Sequence, residues 1–146
     1  MPYPEMMIQP MREDLTKVGV KELRTAEEVD ALMKQVHDKT VMLVVNSVCG
    51  CAAGKARPGI IQALRHAVKP DIVATVFAGQ DLEATAKARS YFSEYPPSSP
   101  SVALFKDGKA VFVLPRYQIE GREAHQIAAI LTQTFDQYCA QTAPTA

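Results

Sequence analysis

The sequence has no tryptophan, only three cysteines and no excess charge, with 16 Lys and Arg against 16 Asp and Glu in 146 residues. Each scarcity excludes something. A net charge of zero leaves no electrostatic footprint for non-specific nucleic-acid or acidic-membrane binding, so neither partner is expected. No run of 18 apolar residues exists, and MPYPEMMIQPMRED has neither the basic start nor the apolar segment of a secretory leader. A cytoplasmic protein is expected. Three cysteines are too few for a disulfide scaffold, so in a reducing compartment the close pair Cys49 and Cys51 asks for a chemical explanation. What the chain does have is 47% hydrophobic residues, enough for one core. We expect one domain over residues 1–146, with an N-terminal arm at 1–19 and a flexible tail at 142–146.

Hydrophobic periodicity orders the elements. Met11 to Val18, ended by Gly19, reads as a short helix in the arm, and Val20 to Arg24 as a short strand. Thr25-Ala26-Glu27-Glu28 has capping-box spacing and opens a helix over about 26–37, with Val29, Leu32, Met33 and Val36 as its core stripe. Thr40 to Val45 is a β-branched run without polar alternation, the pattern of a strand buried on both faces. Ala52 to Val68 reads as a helix, Ile72 to Phe77 as a second buried strand, and Asp81 to about Phe92 as another helix. Tyr95 to Ser101 is a Pro/Ser loop, and two apolar runs around Asp107-Gly108 signal a hairpin ended by Pro115. Gly121 to about Gln141 carries the last amphipathic pattern. A βαβ half followed by a ββα half, sharing one mixed sheet flanked by helices, is a thioredoxin-like α/β arrangement.

Cys49 and Cys51 stand between a buried strand and a helix, where unpaired amides and the helix dipole favour an anion. Cys49 is therefore expected to be the more acidic sulfur, below a free value near ~8.5, and nucleophilic at neutral pH. One intervening residue would close a disulfide ring of about eleven atoms, tight for unstrained bridge geometry and so easily reduced. Gly50, lacking Cβ, lets its two neighbours approach. Such a pair exchanges disulfides rather than acting as a strong reductant. Two other readings stay open: small residues at a turn or two buried free thiols, and a soft-metal-binding module, since the two sulfurs can chelate a soft ion, whereas a four-ligand zinc site would need Cys139 and a histidine such as His66 or His125 as well. Cys139 itself is expected to pack as a small apolar side chain on the last helix.

Pro100 directly precedes an apolar strand after a Pro/Ser loop, which makes Ser99-Pro100 a candidate cis peptide bond. A trans proline at a strand start is the commoner arrangement, and the thioredoxin-like context favours cis. In that context the turn lies against the cysteines, and the Ser99 backbone would pair with an extended substrate.

Pro100-Ser101-Val102-Ala103-Leu104-Phe105-Lys106-Asp107-Gly108 resembles the cis-proline strand and turn of thioredoxins, and Asn46-Ser47-Val48-Cys49-Gly50-Cys51-Ala52 resembles the CGC signature of the bacilliredoxin family. The likeness covers nearly the whole chain. It implies a thiol-disulfide oxidoreductase that takes bacillithiol from protein mixed disulfides, with disulfide isomerisation a related activity. By the resemblance, Cys49 attacks, Cys51 resolves and Pro100 is the cis-proline. Bacillithiol is then a thiol co-substrate whose reducing system and bacillithiolated client proteins are the partners, and no metal, flavin or nucleotide cofactor is needed. Where thioredoxins keep a buried aspartate, six residues before the first cysteine, this chain has Leu43. The proton acceptor for Cys51 is thus unassigned, and Glu94 and Glu120 read as solvated carboxylates. Bacillithiol, as the resemblance implies, bears carboxylates on its malate part, so Lys55, Arg57 and Arg116 are candidate attracting cations near the cysteines.

Overall fold

Seven consecutive buried residues, Thr40–Asn46, form β2 at the middle of a five-stranded sheet. The computed structural model describes residues 2–36 and 38–140, so the expected tail at 142–146 and the expected helix ends at 37 and 141 lie outside the described residues. In chain order the elements are α1 (Glu5–Thr16), β1 (Lys21–Glu22), α2 (Ala26–Lys34), β2, a π-helical turn (Ala52–Ala56), α3 (Arg57–Ala63) and β3 (Ile72–Phe77). There follow α4 (Leu82–Ser90), β4 (Ser101–Lys106), β5 (Lys109–Leu114), α5 (Arg116–Ile119) and α6 (Ala124–Tyr138). The sheet order is β1-β3-β2-β4-β5. β1, β3 and β2 run parallel, and β4 and β5 add antiparallel. This is the mixed sheet expected from the βαβ and ββα halves.

The period of two along β2 divides the core. Val41, Leu43 and Val45 pack with α2 and α4 through Leu32, Met33, Ala84 and Ala88. Met42 and Val44 pack on the other face with Ile60 of α3 and Ile127, Leu131 and Phe135 of α6. Strand length and apolar continuity are therefore consequences of cover on both faces. The capping box at Thr25 forms as read, with the hydroxyl accepting from the Glu28 amide at 3.1 Å and the Glu28 carboxylate accepting from the Thr25 amide at 3.1 Å. The hairpin turn also forms: Asp107 at φ 53° and Gly108 at φ 79° are the positive-φ pair of a two-residue type I′ turn, whose twist suits paired strands.

Several elements differ from the sequence reading. α1 begins at Glu5 rather than at Met11 and carries Pro10 inside it. The expected continuous helix over 52–68 divides into the π turn and α3, which stops at Ala63. In the π turn the Arg57 amide reaches back five residues to the Ala52 carbonyl, a widening that concentrates at functional sites. α5 was not expected at all. It is a single turn after Pro115, too short to show a hydrophobic period.

Helices α3 and α6 approach closely at Gly59, where an added Cβ would lie 2.8 Å from Ile127 Cγ2 and 3.0 Å from the Ala124 carbonyl oxygen. Gly59→Ala is expected to destabilise the protein by about 1–3 kcal/mol, because the backbone of α6 cannot yield as a flexible side chain would. Urea unfolding checks this, and an unchanged midpoint would contradict it.

Candidate active site

The loop between the end of β2 and the π turn carries Cys49, and Cys51 directly precedes that turn, both partly exposed, with Gly50 exposed between them. Nothing lies within 4 Å of a Cβ built on Gly50, so the space beside that residue is open. All three cysteines, Cys139 included, are thiols. The Cys49 sulfur lies 3.2 Å from the Ser47 hydroxyl. Burial pushes the Cys49 thiol up, but the Ser47 hydroxyl, the Ala52 and Cys51 amides and the positive charge of Arg116 outweigh it. The thiol is therefore more acidic than an ordinary cysteine. This acidity agrees with the strand-to-helix placement, although the hydroxyl contributes more than either amide.

The Ser99-Pro100 bond is cis. The Ser99 carbonyl accepts from Arg116 Nη1 at 3.3 Å, and the Arg116 amide donates to Ser98 Oγ at 3.2 Å. The loop at 98–100 and α5 thus meet through Arg116. Its guanidinium also donates from Nε to Glu120 Oε2 at 3.4 Å, and that oxygen lies 4.0 Å from Cys51 Sγ. The carboxylate read as merely solvated is brought to the second sulfur, whereas Glu94 remains exposed after α4. Negative charge on Cys49 when it is ionised, and the Glu120 carboxylate, strengthen the hold of Arg116 on its proton. Tyr95, Pro96, Pro115 and Tyr117 line a mostly apolar groove of about 380 Å³ that ends at Arg116 and Glu120.

Of the three candidate cations, only Arg116 faces the cysteines from the exposed side. Arg57 is buried, at 3% exposure, behind the loop. Its Nη1 donates to Asn46 Oδ1 at 2.9 Å and to the Ser47 carbonyl at 2.8 Å, and its Nε donates to Asp14 at 3.1 Å. The expectation of a surface cation that meets substrate is corrected for this residue: its Nε and Nη1 donors are spent inside the protein. Lys55 donates to the Arg122 carbonyl at 3.0 Å between α5 and α6. Sequence reasoning assigned no role to Asn46, Ser47 or Asp14. The available signal was the polar Asn46-Ser47 pair ending an otherwise apolar strand.

Cys139 sits at the opposite end of the sheet, in a depression with Thr40, Asp71 and Lys106. Burial pushes its thiol up. β2 alone separates Thr40 from the cysteine loop by seven residues, about 20 Å of strand. A four-ligand zinc site needed Cys139 beside Cys49 and Cys51, and the fold holds them apart. His66 instead pairs with Asp136 at 2.9 Å. Among the described residues, no helix is long and apolar enough to cross a membrane.

A mixed sheet of this topology, with an acidified thiol at the end of its central strand and a cis-proline loop beside it, defines a thiol-disulfide oxidoreductase of thioredoxin fold. Solved thioredoxins share that fold. The chain matches Schistosoma mansoni thioredoxin pre-protein with TM-score 0.57 and 17% identity, covering 82% of this chain and 97% of that one. It matches Fasciola hepatica thioredoxin with TM-score 0.56 and 19% identity, covering 82% and 99%. Sequence relatives are much nearer. Residues 3–139 match the family model described as disulphide isomerase. A bacilliredoxin of Koribacter versatilis is 57% identical over 97% of both chains, and one of Geobacillus kaustophilus is 53% identical over 94% of both. A bacilliredoxin of Salinibacter ruber is 54% identical over all of this chain and 86% of its own length. The chain belongs to the bacilliredoxin family.

Proposed function

We propose that the protein removes bacillithiol from protein mixed disulfides in the cytoplasm. The observation that carries this reading is the acidified, partly exposed Cys49 with Cys51 two residues on, in a chain of this family. The Cys49 thiolate attacks the bacillithiol sulfur of the client's mixed disulfide. The client's S–S bond breaks, its cysteine leaves as thiolate, and bacillithiol is left joined to Cys49. Cys51 loses its proton and attacks Cys49, forming the Cys49–Cys51 disulfide and expelling bacillithiol as thiolate. An external thiol or reductase supplies the two electrons that restore the dithiol. Electrons move only between sulfurs, so the reaction calls for no metal, flavin or nucleotide cofactor, and bacillithiol is a co-substrate.

Partial exposure of Cys49 and Cys51 lets a client disulfide reach both sulfurs. The client chain runs past Ser99 and Pro100. The Ser99 carbonyl accepts from Arg116 at 3.3 Å with one of its two lone pairs, and the Ser99 backbone still pairs with the extended client. The apolar groove at Tyr95 and Tyr117 receives a flanking client side chain. Arg116 meets the carboxylates of the small thiol. The Arg116→Ala variant is therefore expected to lower turnover of an anionic adduct about fivefold to tenfold, against less than about twofold for a neutral disulfide. The comparison belongs near pH ~9, where loss of the cation no longer limits the Cys49 thiolate fraction. Equal losses on both substrates would refute the assignment.

The deciding experiment is intact-mass spectrometry of the Cys51→Ala protein after exposure to a bacillithiolated client, beside a glutathionylated one. Transfer of bacillithiol to Cys49, at least about tenfold faster than of glutathione, is the expected result. The description of the matching family model favours a second reading, a general disulfide isomerase or reductase without bacillithiol preference, and equal transfer of both adducts would point to that generalist exchanger instead.

A further inference from the structure

Ser47 makes the strongest favourable contact to the Cys49 sulfur, yet a hydroxyl on a loop is useful to a thiolate only if it is held there. The holding groups lie behind it. Asn46 Oδ1 accepts from the Ser47 amide at 2.9 Å, and Arg57 Nη1 donates to that same oxygen at 2.9 Å and to the Ser47 carbonyl at 2.8 Å. Both polar groups of the Ser47 backbone are thereby fixed. Arg57 is in turn held through Nε by Asp14 at 3.1 Å, and Asn46 Nδ2 donates to the Met11 carbonyl at 3.2 Å. Asp14 and Met11 belong to α1, about 30 to 45 residues away in sequence. Asn46, Ser47 and Arg57 are each at least nine-tenths buried. A buried guanidinium is costly unless its donors are used, and the use found here is to grip one turn of backbone.

We propose that Asp14, Arg57 and Asn46 form a brace that aims the Ser47 hydroxyl at the Cys49 sulfur, which makes helix α1 part of the thiol site. These are positioning residues: none of the three touches the sulfur. The groups that face Cys49 are the Ser47 hydroxyl, the Cys51 and Ala52 amides, and the charges of Arg116 and Arg57, while Glu120 lies beside Cys51. Arg57 thus has two routes to the sulfur, its charge from a distance and its grip on Ser47. Burial opposes its charge, whereas Asp14 and the Cys49 thiolate favour it. Exchange of Arg57 for lysine separates the routes, because an ammonium keeps the charge but cannot serve Asn46, the Ser47 carbonyl and Asp14 in one plane.

The inference rests on Cys49 as the nucleophile, so its test uses iodoacetamide, which needs no mixed disulfide and reads thiolate directly. The reduced full chain is alkylated from about pH 5 to about pH 10, and Cys49 is distinguished from Cys51 by tandem mass spectrometry. Arg57→Lys is expected to raise the midpoint of the Cys49 profile by about one pH unit and to slow its alkylation at pH 7 about tenfold. Ser47→Ala should do the same, and the double variant should be no worse than Ser47→Ala alone, because both changes remove one interaction. A wild-type midpoint in Arg57→Lys, or shifts that add in full, overturns the brace. Asp14→Ala supplies a variant at a half-exposed position should Arg57→Lys fold poorly. Loss of a nearby carboxylate would by charge alone lower the midpoint, whereas a loosened brace raises it, and a fall or no change removes α1 from the site. Melting curves run alongside: a purely structural Arg57 would lower Tm and leave the midpoint in place. An ordinary thiol midpoint in the wild type would instead count against Cys49 as the nucleophile.

Discussion

Cys49→Ser is expected to lower turnover of a protein mixed disulfide by at least about a thousandfold, with the fold retained. A serine hydroxyl at this position keeps the hydrogen bond to Ser47 but ionises far above neutral pH, so the attacking anion is lost while the surroundings persist. Cys139→Ser, at the far end of the sheet, should change turnover by less than about twofold. The pH dependence follows from the direction of the Cys49 shift. Attack by the thiolate rises with pH and levels off above the thiol's pKa, and because that value is lowered the plateau begins at lower pH than for an ordinary cysteine. Stopped-flow measurement of client thiol release across pH checks both statements. Residual turnover of Cys49→Ser above a few per cent, or a plateau reached only at the pH of free cysteine, would contradict the assignment.

The parts of this fold legible in the sequence are those whose causes are local. The run at 40–45 could hardly be anything but a doubly covered strand, and the residues of both core faces are in it by turns. Thr25 and Glu28 carry their capping box in their spacing, and Asp107-Gly108 carries its turn. The helix after the cysteines was legible in existence but not in form. Gly54 and Pro58 mark the stretch where its first turn widens and α3 restarts, yet a π turn differs from an α turn by one residue of register, below what a hydrophobic period resolves. α5 is one turn long and leaves no period, and with it went the sign that Arg116 and Glu120 share one face near the sulfurs.

The candidate site divides in the same way. The placement of Cys49 and Cys51 between a buried strand and a helix, and the cis bond before Pro100, were readable because a motif and its flanking elements mark them. Arg57 was misread because a cation eight residues after a cysteine looks like a surface charge on a helix. Its burial is decided by Asp14 and Asn46, which are 43 and 11 residues distant. Pairings at such separations have no local signature. The same blindness hid the second buried arginine of the chain, on α1.

Arg12 lies on α1 with its side chain only 2% exposed, and its removal should have the largest effect on stability. Its Nε donates to Glu5 at 2.7 Å and its Nη1 to Asp81 at 2.6 Å, with Glu22 at 3.8 Å and the Phe77 ring 5.5 Å below the guanidinium. Burial works against its charge, and Asp81 and Glu5 more than restore it. One cation therefore joins α1, the end of β1, the end of β3 and the start of α4. Arg12→Met fills the space but leaves three carboxylates facing one another without a counter-charge. Breaking a buried pair from one side costs about 3–5 kcal/mol, which for an ordinary urea dependence moves the unfolding midpoint by about 2 M. The loss should depend on pH in a stated direction. The hydrogen bond from Arg12 holds the Glu5 carboxyl below the ordinary carboxylate range, against the opposing effect of burial. Its contribution is thus complete above that range and disappears as pH falls through the lowered value. The difference between wild type and Arg12→Met is expected to be largest near neutral pH and to narrow under acid. Adding Asp81→Leu should recover at least about half of the loss, since an apolar pair of similar volume replaces a charge left unpaired. A midpoint shift below about 0.5 M at neutral pH, or no recovery in the double variant, would show that Arg12 does not hold α1 to the sheet.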